Sequence, residues 1–174
     1  MLNPDDWQEV VDVWLAYTEF AQLGKYYAVA KSGFGKLLVF HPDTGTGINI
    51  DPIQGIVCGE IADKNTERFR DIALGTTFSG IESTMENTDF YIGESEEGIF
   101  AVTQAKLGVL GQYEMYAFDP AYRTLETMQM LPTVDNIIKV DARVHMLKLR
   151  ELIDKPIVWV FNTDEVLRQM GLID

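Results

Sequence analysis

Apolar residues near the start of the chain recur with the period of a helix. Intervals of three and four residues place side chains on one helical face, and this pattern predicts an amphipathic element. The preceding residues begin with Asn3 and Pro4 and continue with two acids, which is the composition of a helix N-terminus capped by Asn3. We expect this first helix to extend to about Tyr17. Its apolar face consists of Trp7, Val10, Val11, Trp14 and Leu15.

A β-hairpin is predicted next. Residues 36–40 are aliphatic and aromatic enough for a strand, and residues 48–51 alternate between apolar and polar positions. Between them, residues 42–47 read Pro-Asp-Thr-Gly-Thr-Gly, a composition typical of turns. Because residues 53–61 are again strand-like, we expect the sheet to continue beyond the hairpin.

Three later stretches have helical patterns. They are residues 65–78, residues 100–107 before Gly108, and residues 162–170 with their polar start. Gly108 is placed to supply the left-handed turn that commonly ends a helix. A short strand is expected at residues 90–93, and the strongest strand pattern in the chain lies at residues 157–161.

An acid with aromatic residues on both sides occurs in residues 110–120, which read Leu-Gly-Gln-Tyr-Glu-Met-Tyr-Ala-Phe-Asp-Pro. Such a cluster fits a catalytic pocket with Glu114 as general base, or a strand whose aromatic residues are core. No second catalytic group has a spacing that supports the pocket, so we favour a strand that ends at Pro120. The role of Glu114 stays open at this point. The strand directs Met115 and Ala117 to one face and Tyr116 and Phe118 to the other.

The apolar residues between positions 136 and 153 fit both the two-residue period of a strand and the period of a helix. Val140 and Val144 belong both to an alternating, strand-like pattern and to a helical one. The second half is helical in pattern and has no helix breaker before Pro156, so we predict a helix for the whole stretch. Mixed helices and strands with an antiparallel hairpin indicate the α+β class. We expect a single domain over residues 1–174, mainly an antiparallel sheet packed with helices.

Composition agrees with one globular domain. Hydrophobic residues make up 47% of the 174 residues, enough for a sizeable core. No apolar run approaches the ~20 residues of a membrane span, and the first residues lack the basic and apolar regions of a signal peptide. The single cysteine, Cys58, excludes an intrachain disulfide, and its apolar surroundings favour a buried, inert thiol. We therefore expect a cytoplasmic protein.

The net charge of −13 is concentrated in two segments. Residues 1–24 contain five acids and residues 71–105 contain seven, and neither segment has a Lys or Arg. The rest of the chain is almost neutral. This pattern disfavours direct binding of nucleic acid, which depends on Lys and Arg. An acidic surface instead speeds the encounter with basic proteins.

No cofactor or metal site is predicted. The chain has no P-loop, no nucleophile elbow, and too few Cys and His residues for structural zinc. As an alternative, His41 and Asp43 with the distant His145 have the residue types of the facial triad in Fe(II) oxygenases. Turn composition already accounts for His41 and Asp43, and His145 is expected to pair with Asp141, four residues before it. We therefore predict no catalytic residue and no metal ligand.

Two sequence blocks resemble a family of immunity proteins. Residues 106–121 read Lys-Leu-Gly-Val-Leu-Gly-Gln-Tyr-Glu-Met-Tyr-Ala-Phe-Asp-Pro-Ala, and residues 135–147 read Asp-Asn-Ile-Ile-Lys-Val-Asp-Ala-Arg-Val-His-Met-Leu. With residues 34–37 and the Thr44-Gly45 turn, they are similar to the C-terminal domain family of immunity proteins against type VI secretion DNase toxins, which accompanies GAD-like domains. The resemblance covers about residues 33–152. The chain departs from the family pattern at residues 122–126, where Tyr-Arg-Thr-Leu-Glu replaces the usual Leu-Gly-Gly run.

The resemblance implies a non-enzymatic, immunity-type protein that binds and neutralises a cognate toxin, with a basic nuclease effector as the candidate partner. Such an inhibitor gains from presenting carboxylates where a nuclease binds phosphates, since charge complementarity raises association rates. The residues predicted to face the partner are Asp89, Glu94, Glu96 and Glu97. The alternatives are a small-molecule enzyme, most concretely an Fe(II)-dependent oxygenase, and a regulatory or scaffold domain. The pattern gives no oligomeric state.

Overall fold

The structure is a computed structural model that describes residues 2–61, 70–71, 73–75, 98–122 and 133–162. The strand predicted at residues 90–93 and the helix predicted after Asn162 lie outside these residues. Of the helix predicted at residues 65–78, the described residues 70–71 and 73–75 are helical.

Besides the helical residues 70–71 and 73–75 just mentioned, three α-helices and seven strands lie within the described residues. The helices are α1 (Gln8–Leu15), α2 (Ile99–Leu107) and α3 (Ala142–Glu151). The strands are β1 (Tyr27–Lys31), β2 (Leu37–Phe40), β3 (Gly47–Asp51), β4 (Ile56–Ile61), β5 (Glu114–Phe118), β6 (Ile137–Asp141) and β7 (Ile157–Asn162). Short 3-10 segments occupy Pro4–Trp7, Glu19–Gln22 and Val134–Asn136. None of the described helices is long and apolar enough to span a bilayer.

Five strands form the main sheet in the order β1-β2-β3-β4-β7. Strands β1 to β4 are antiparallel neighbours, and β7 lies parallel to β4. Strands β5 and β6 form a separate antiparallel pair. The predicted hairpin is therefore confirmed as β2 and β3, and the mainly antiparallel α+β fold class is confirmed as well.

Strand β1 was not predicted from the sequence. Its five residues, Tyr-Ala-Val-Ala-Lys, include two alanines, which have little intrinsic preference for strands. Pairing with β2 imposes the strand conformation, and an irregularity between Ala28 and Ala30 interrupts the register. The strand exists because of its tertiary neighbour.

The prediction of one helix across residues 136–153 is wrong in its first part. Residues Ile137–Asp141 form β6, which pairs with β5, and α3 begins only at Ala142. Asp141 marks the boundary because its carboxylate accepts hydrogen bonds from the N–H groups of Arg143 and Val144. An acid in this position satisfies the free N–H groups of a helix start, which periodicity alone does not reveal.

The first helix differs from its prediction at both ends. Asn3 makes no capping hydrogen bond with the helix, and its amide instead donates to Asp6 Oδ2 at 3.1 Å. The chain enters through the 3-10 turn at Pro4–Trp7, and α1 ends at Leu15. Tyr17 follows with a φ of 65°, which no helix accommodates.

The alternation predicted for the strand at residues 114–118 is confirmed. Met115 and Ala117 pack into the principal core, which lies between one face of the main sheet and the helices α1 and α3. Tyr116 and Phe118 point the opposite way, into a second core that also contains Phe34. Strand β5 is therefore buried on both faces and connects the two cores.

Helix α2 ends as predicted, at Gly108. This glycine has a φ of 79°, and its N–H donates to Gln104 O at 2.8 Å. A side chain at a positive φ is strained, so glycine suits this position. Strand β5 begins six residues further along the chain.

Candidate functional site

Glu114 has a structural role. Its Oε2 accepts a hydrogen bond from Gly111 N–H at 2.7 Å, which closes the turn before β5. The same oxygen lies 3.7 Å from Lys139 Nζ on the neighbouring strand. A carboxylate engaged in this way stabilises the turn and the strand pair. The structure thus supplies the role that the sequence left open.

Lys31 connects the main sheet to the two-stranded sheet. Its Nζ donates to Glu114 O at 2.8 Å and to Ser32 O at 3.1 Å. Burial lowers the pKa of this lysine to about 8. The adjacent Tyr116 N–H donates to Gly33 O at 2.8 Å, so side-chain and backbone contacts together fix β5 against the end of β1.

The two tyrosines beside Glu114 are also bound to neighbouring elements. Tyr113 OH donates to Asp6 Oδ2 at 2.7 Å, and the Arg143 guanidinium lies 4.2 Å from the centre of its ring. The hydrogen bond to Asp6 raises the pKa of the Tyr113 hydroxyl. Tyr116 OH donates to Gly108 O, and burial raises its pKa. These contacts make residues 113–116 a framework that joins the N-terminal segment to α3.

His41 is occupied by the turn that it helps to form. Its Nδ1 accepts hydrogen bonds from the N–H groups of Asp43 at 3.2 Å and Thr44 at 3.4 Å. Since Nδ1 acts as an acceptor, Nε2 carries the proton and donates to Leu23 O at 3.0 Å. Neither ring nitrogen has a lone pair left for iron. Among the described residues, no three His, Cys, Asp or Glu side chains are grouped as metal ligands.

The predicted pair between His145 and Asp141 does not form. Asp141 caps α3 and also contacts the Arg143 guanidinium at 3.3 Å, and these contacts lower its pKa. Burial lowers the pKa of His145, Lys148 lowers it further, and Asp119 opposes the shift. The two capping hydrogen bonds engage Oδ1 of Asp141 and the Arg143 guanidinium engages Oδ2, so both carboxylate oxygens are already occupied by residues closer in sequence than His145.

Cys58 is half-buried on β4. Burial raises the pKa of its thiol, and the charge of Lys36 lowers it to a smaller extent. A thiol with a raised pKa carries little thiolate at neutral pH and is a poor nucleophile. This agrees with the inert cysteine expected from the sequence, although the side chain is only partly covered.

The four acids predicted to face a partner, Asp89, Glu94, Glu96 and Glu97, lie outside the described residues. The other acidic segment is described almost completely. Its acids Asp5, Glu9, Asp12 and Glu19 are exposed. We call this region, which comprises those four acids with Val13 and Tyr17, the N-terminal acidic surface.

Tyr17 is the most conspicuous residue of the N-terminal acidic surface. Its side chain is 91% exposed, and its φ of 65° lies in the left-handed region. Flanking contacts hold the backbone there, because Thr18 N–H and Thr18 Oγ1 both bond to Leu15 O. Sequence reasoning did not single out this residue, since nothing in the pattern distinguishes an exposed tyrosine after a helix from a buried one.

The comparisons with known proteins bear on the N-terminal segment and on the fold. Residues 1–54 match the model of the GAD-like domain. The match includes the whole N-terminal acidic surface, α1 and the hairpin, and it overlaps the immunity-family resemblance only at residues 33–54. No curated protein matches the chain.

A solved structure has the same fold. It is the crystal structure of Atu4351 from Agrobacterium tumefaciens, with a TM-score of 0.71 and 23% sequence identity. The aligned region covers 93% of this chain and 69% of that one. The likeness extends over nearly the whole chain and concerns the fold alone.

Proposed function

We propose that this protein is a non-enzymatic, immunity-type protein that neutralises a cognate toxin by direct binding, and that the toxin is basic. The proposal rests on the N-terminal acidic surface, which contains four exposed acids and an exposed tyrosine, in a segment that has no Lys or Arg from residue 1 to 24. The sequence resemblance supplies the toxin class, with a nuclease as the leading candidate.

The surface has the composition of a protein-binding site. Tyrosine is enriched among residues that dominate binding energy, because its ring buries a large area at a small cost in side-chain entropy. Both Tyr17 and Val13 are exposed, and in the proposed complex they form the apolar centre while the acids form a charged rim. A rim of one sign mainly raises the association rate with a partner of opposite sign. The acids 89, 94, 96 and 97 extend this proposal to the second base-free segment.

The experiment tests each toxin-like protein that is found encoded beside this chain. Co-expression is expected to protect cells from the cognate toxin, and the two proteins are expected to co-purify. Protection without a stable complex would contradict direct binding. If neither protection nor co-purification is found for any neighbouring toxin, the proposal is wrong.

Charge reversal is expected to slow association. The triple variant Glu9→Lys, Asp12→Lys, Glu19→Lys replaces attraction by repulsion, and we expect the association rate to fall about tenfold or more at low salt. The difference is expected to shrink as salt screens the charges. Stopped-flow or surface plasmon resonance at several ionic strengths measures this.

The matched control for charge reversal changes the same number of charges elsewhere. Asp43, Glu151 and Asp154 are exposed acids outside the N-terminal acidic surface. The triple Lys variant at these positions has the same net charge as the test variant. Equal slowing by both variants would mean that only net charge matters, and the surface assignment would then be wrong.

Replacing Tyr17 by glycine is expected to change toxin binding and folding stability in opposite directions. Glycine adopts a positive φ without strain, so we expect the free energy of unfolding to rise by about 1 kcal/mol. Loss of the exposed ring is expected to weaken toxin binding. Denaturant unfolding and the dissociation constant are measured on the same preparation. A variant that is both more stable and fully competent to bind would remove Tyr17 from the site.

A further inference from the structure

Strand β7 is the last strand of the main sheet as the described residues form it, and it exposes an apolar row. The row consists of Ile157, Trp159 and Phe161, whose exposed fractions are 44%, 52% and 52%. The alternate residues, Val158 and Val160, pack on the other face against the principal core. Edge strands with exposed apolar side chains are sites of strand addition, which proteins otherwise block with charge or proline.

The hydrogen-bonding direction of β7 follows from one contact. Ile157 N–H donates to Gly55 O at 2.8 Å, and β7 runs parallel to β4. In a parallel ladder, every second residue of a strand forms its backbone hydrogen bonds with one neighbouring strand, and the residues between them direct their backbone groups to the other side. The odd-numbered residues of β7 therefore bond to β4, and Val158 and Val160 direct their N–H and C=O groups to the outer edge. The described sheet has no further strand at that edge.

We propose that a second copy of this chain pairs with the outer edge of β7. The two β7 strands run antiparallel about a twofold axis at Trp159, and the two main sheets become one continuous sheet. In this register, Val158 of one copy and Val160 of the other exchange backbone hydrogen bonds. Their N–H and C=O groups are the ones that β7 directs to its outer edge. Trp159 then lies opposite Trp159 of the second copy, in a pair without direct hydrogen bonds.

The same register matches the side chains. The twofold axis at Trp159 places Ile157 of each copy opposite Phe161 of the other copy. Every exposed apolar residue of the row thus meets another one, as a twofold interface requires. Aromatic and aliphatic pairs of this kind stabilise neighbouring strands.

Charge favours a second copy at this strand over a basic partner. The chain carries a net charge of −13, but residues Ile157–Asn162 carry no charge. Two like-charged copies therefore approach with the least repulsion at β7, since opposed like charges destabilise strand pairs. A basic toxin gains no attraction there. The inference is independent of the proposed function, which concerns the N-terminal acidic surface.

Sedimentation of the full chain over a range of concentrations tests the dimer. We expect the wild type to be dimeric at high concentration, and Trp159→Lys and Trp159→Glu each to dissociate at least about tenfold more readily. An equimolar mixture of the two variants is expected to recover the dimer, since the opposed charges then attract. Val109→Lys, at an exposed apolar residue outside β7, is the matched control and is expected to leave the dimer intact.

Cysteine cross-linking tests the register. In a background with Cys58→Ser, we expect Trp159→Cys to form a disulfide-linked dimer under mild oxidation, because directly opposed residues lie within disulfide distance. Ile157→Cys is expected to remain unlinked. The register places the two cysteines at position 157, one in each copy, on opposite sides of the axis and about 13 Å apart along the strand.

Four outcomes count against the proposal. A wild type that stays monomeric at all concentrations excludes the pairing, and so does a dimer that Trp159→Lys leaves unchanged. A monomer in which Trp159→Lys instead weakens binding of the toxin assigns β7 to the heterologous partner. Linking through Ile157→Cys in preference to Trp159→Cys would refute the register.

Discussion

Trp14→Ala is expected to lower the free energy of unfolding by about 3–5 kcal/mol. The indole is completely buried in the principal core, and its Nε1 donates to Met146 O at 3.1 Å. Removing it leaves a large cavity between α1 and α3 and breaks their side-chain hydrogen bond. Denaturant unfolding, followed by circular dichroism, measures the change.

Two further substitutions make the Trp14 result specific. Trp14→Phe keeps most of the ring and loses only the hydrogen bond and some volume, so its cost is expected to fall well below that of alanine. Trp159→Ala, at a residue that is 52% exposed, is expected to cost under about 1 kcal/mol when the protein is dilute enough to be monomeric. Equal losses for the alanine variants at positions 14 and 159 would contradict the position of α1 in the core.

The stability difference between the wild type and Lys31→Met is expected to depend on pH. Burial lowers the folded-state pKa of Lys31 to about 8 from an ordinary value of 10.5. Between these values the unfolded chain binds a proton that the folded chain does not, so the stability of the wild type rises with pH across this interval. Relative to Lys31→Met, the gain from pH 8 to 10.5 is expected to reach up to about 3 kcal/mol.

The pH experiment requires only unfolding curves of the two proteins at matched pH values. Subtracting the variant removes the titration of the other lysines and tyrosines, which both proteins share. Below pH 8 the difference is expected to be constant, because Lys31 is then protonated in both states. A difference that stays constant up to pH 10.5, or that falls as pH rises, would show that the Lys31 ammonium is accommodated without a burial penalty.

Local patterns predicted much of the framework. The turn between residues 40 and 47 contains proline and glycine, which favour the tight turn of a hairpin, and β2 and β3 pair on either side of it. Strand β5 has alternating side chains that suit two cores, and the structure buries both sets. In each case a local preference and the tertiary contacts favour the same conformation, so the pattern was sufficient.

Strands that depend on pairing with another strand were missed or misassigned. Strand β1 has a weak strand pattern and forms because β2 lies beside it. Residues 137–141 are strand because β5 supplies a pairing edge, and Asp141 starts the helix with its carboxylate. The periodicity of one segment contains no information about the neighbouring strand that supplies its hydrogen bonds.

By itself, the sequence determined where the charge lies along the chain, where the hairpin turns, and which residues alternate on β5, because these properties depend on near neighbours alone. Only the tertiary structure decided that His41 and Glu114 bind backbone groups, that Tyr17 is exposed in a left-handed conformation, and that β7 is the last strand of the described sheet. Residues 157–161 look equally apolar in a buried strand and in an edge strand. Exposure depends on which elements pack alongside, and that is a property of the whole fold.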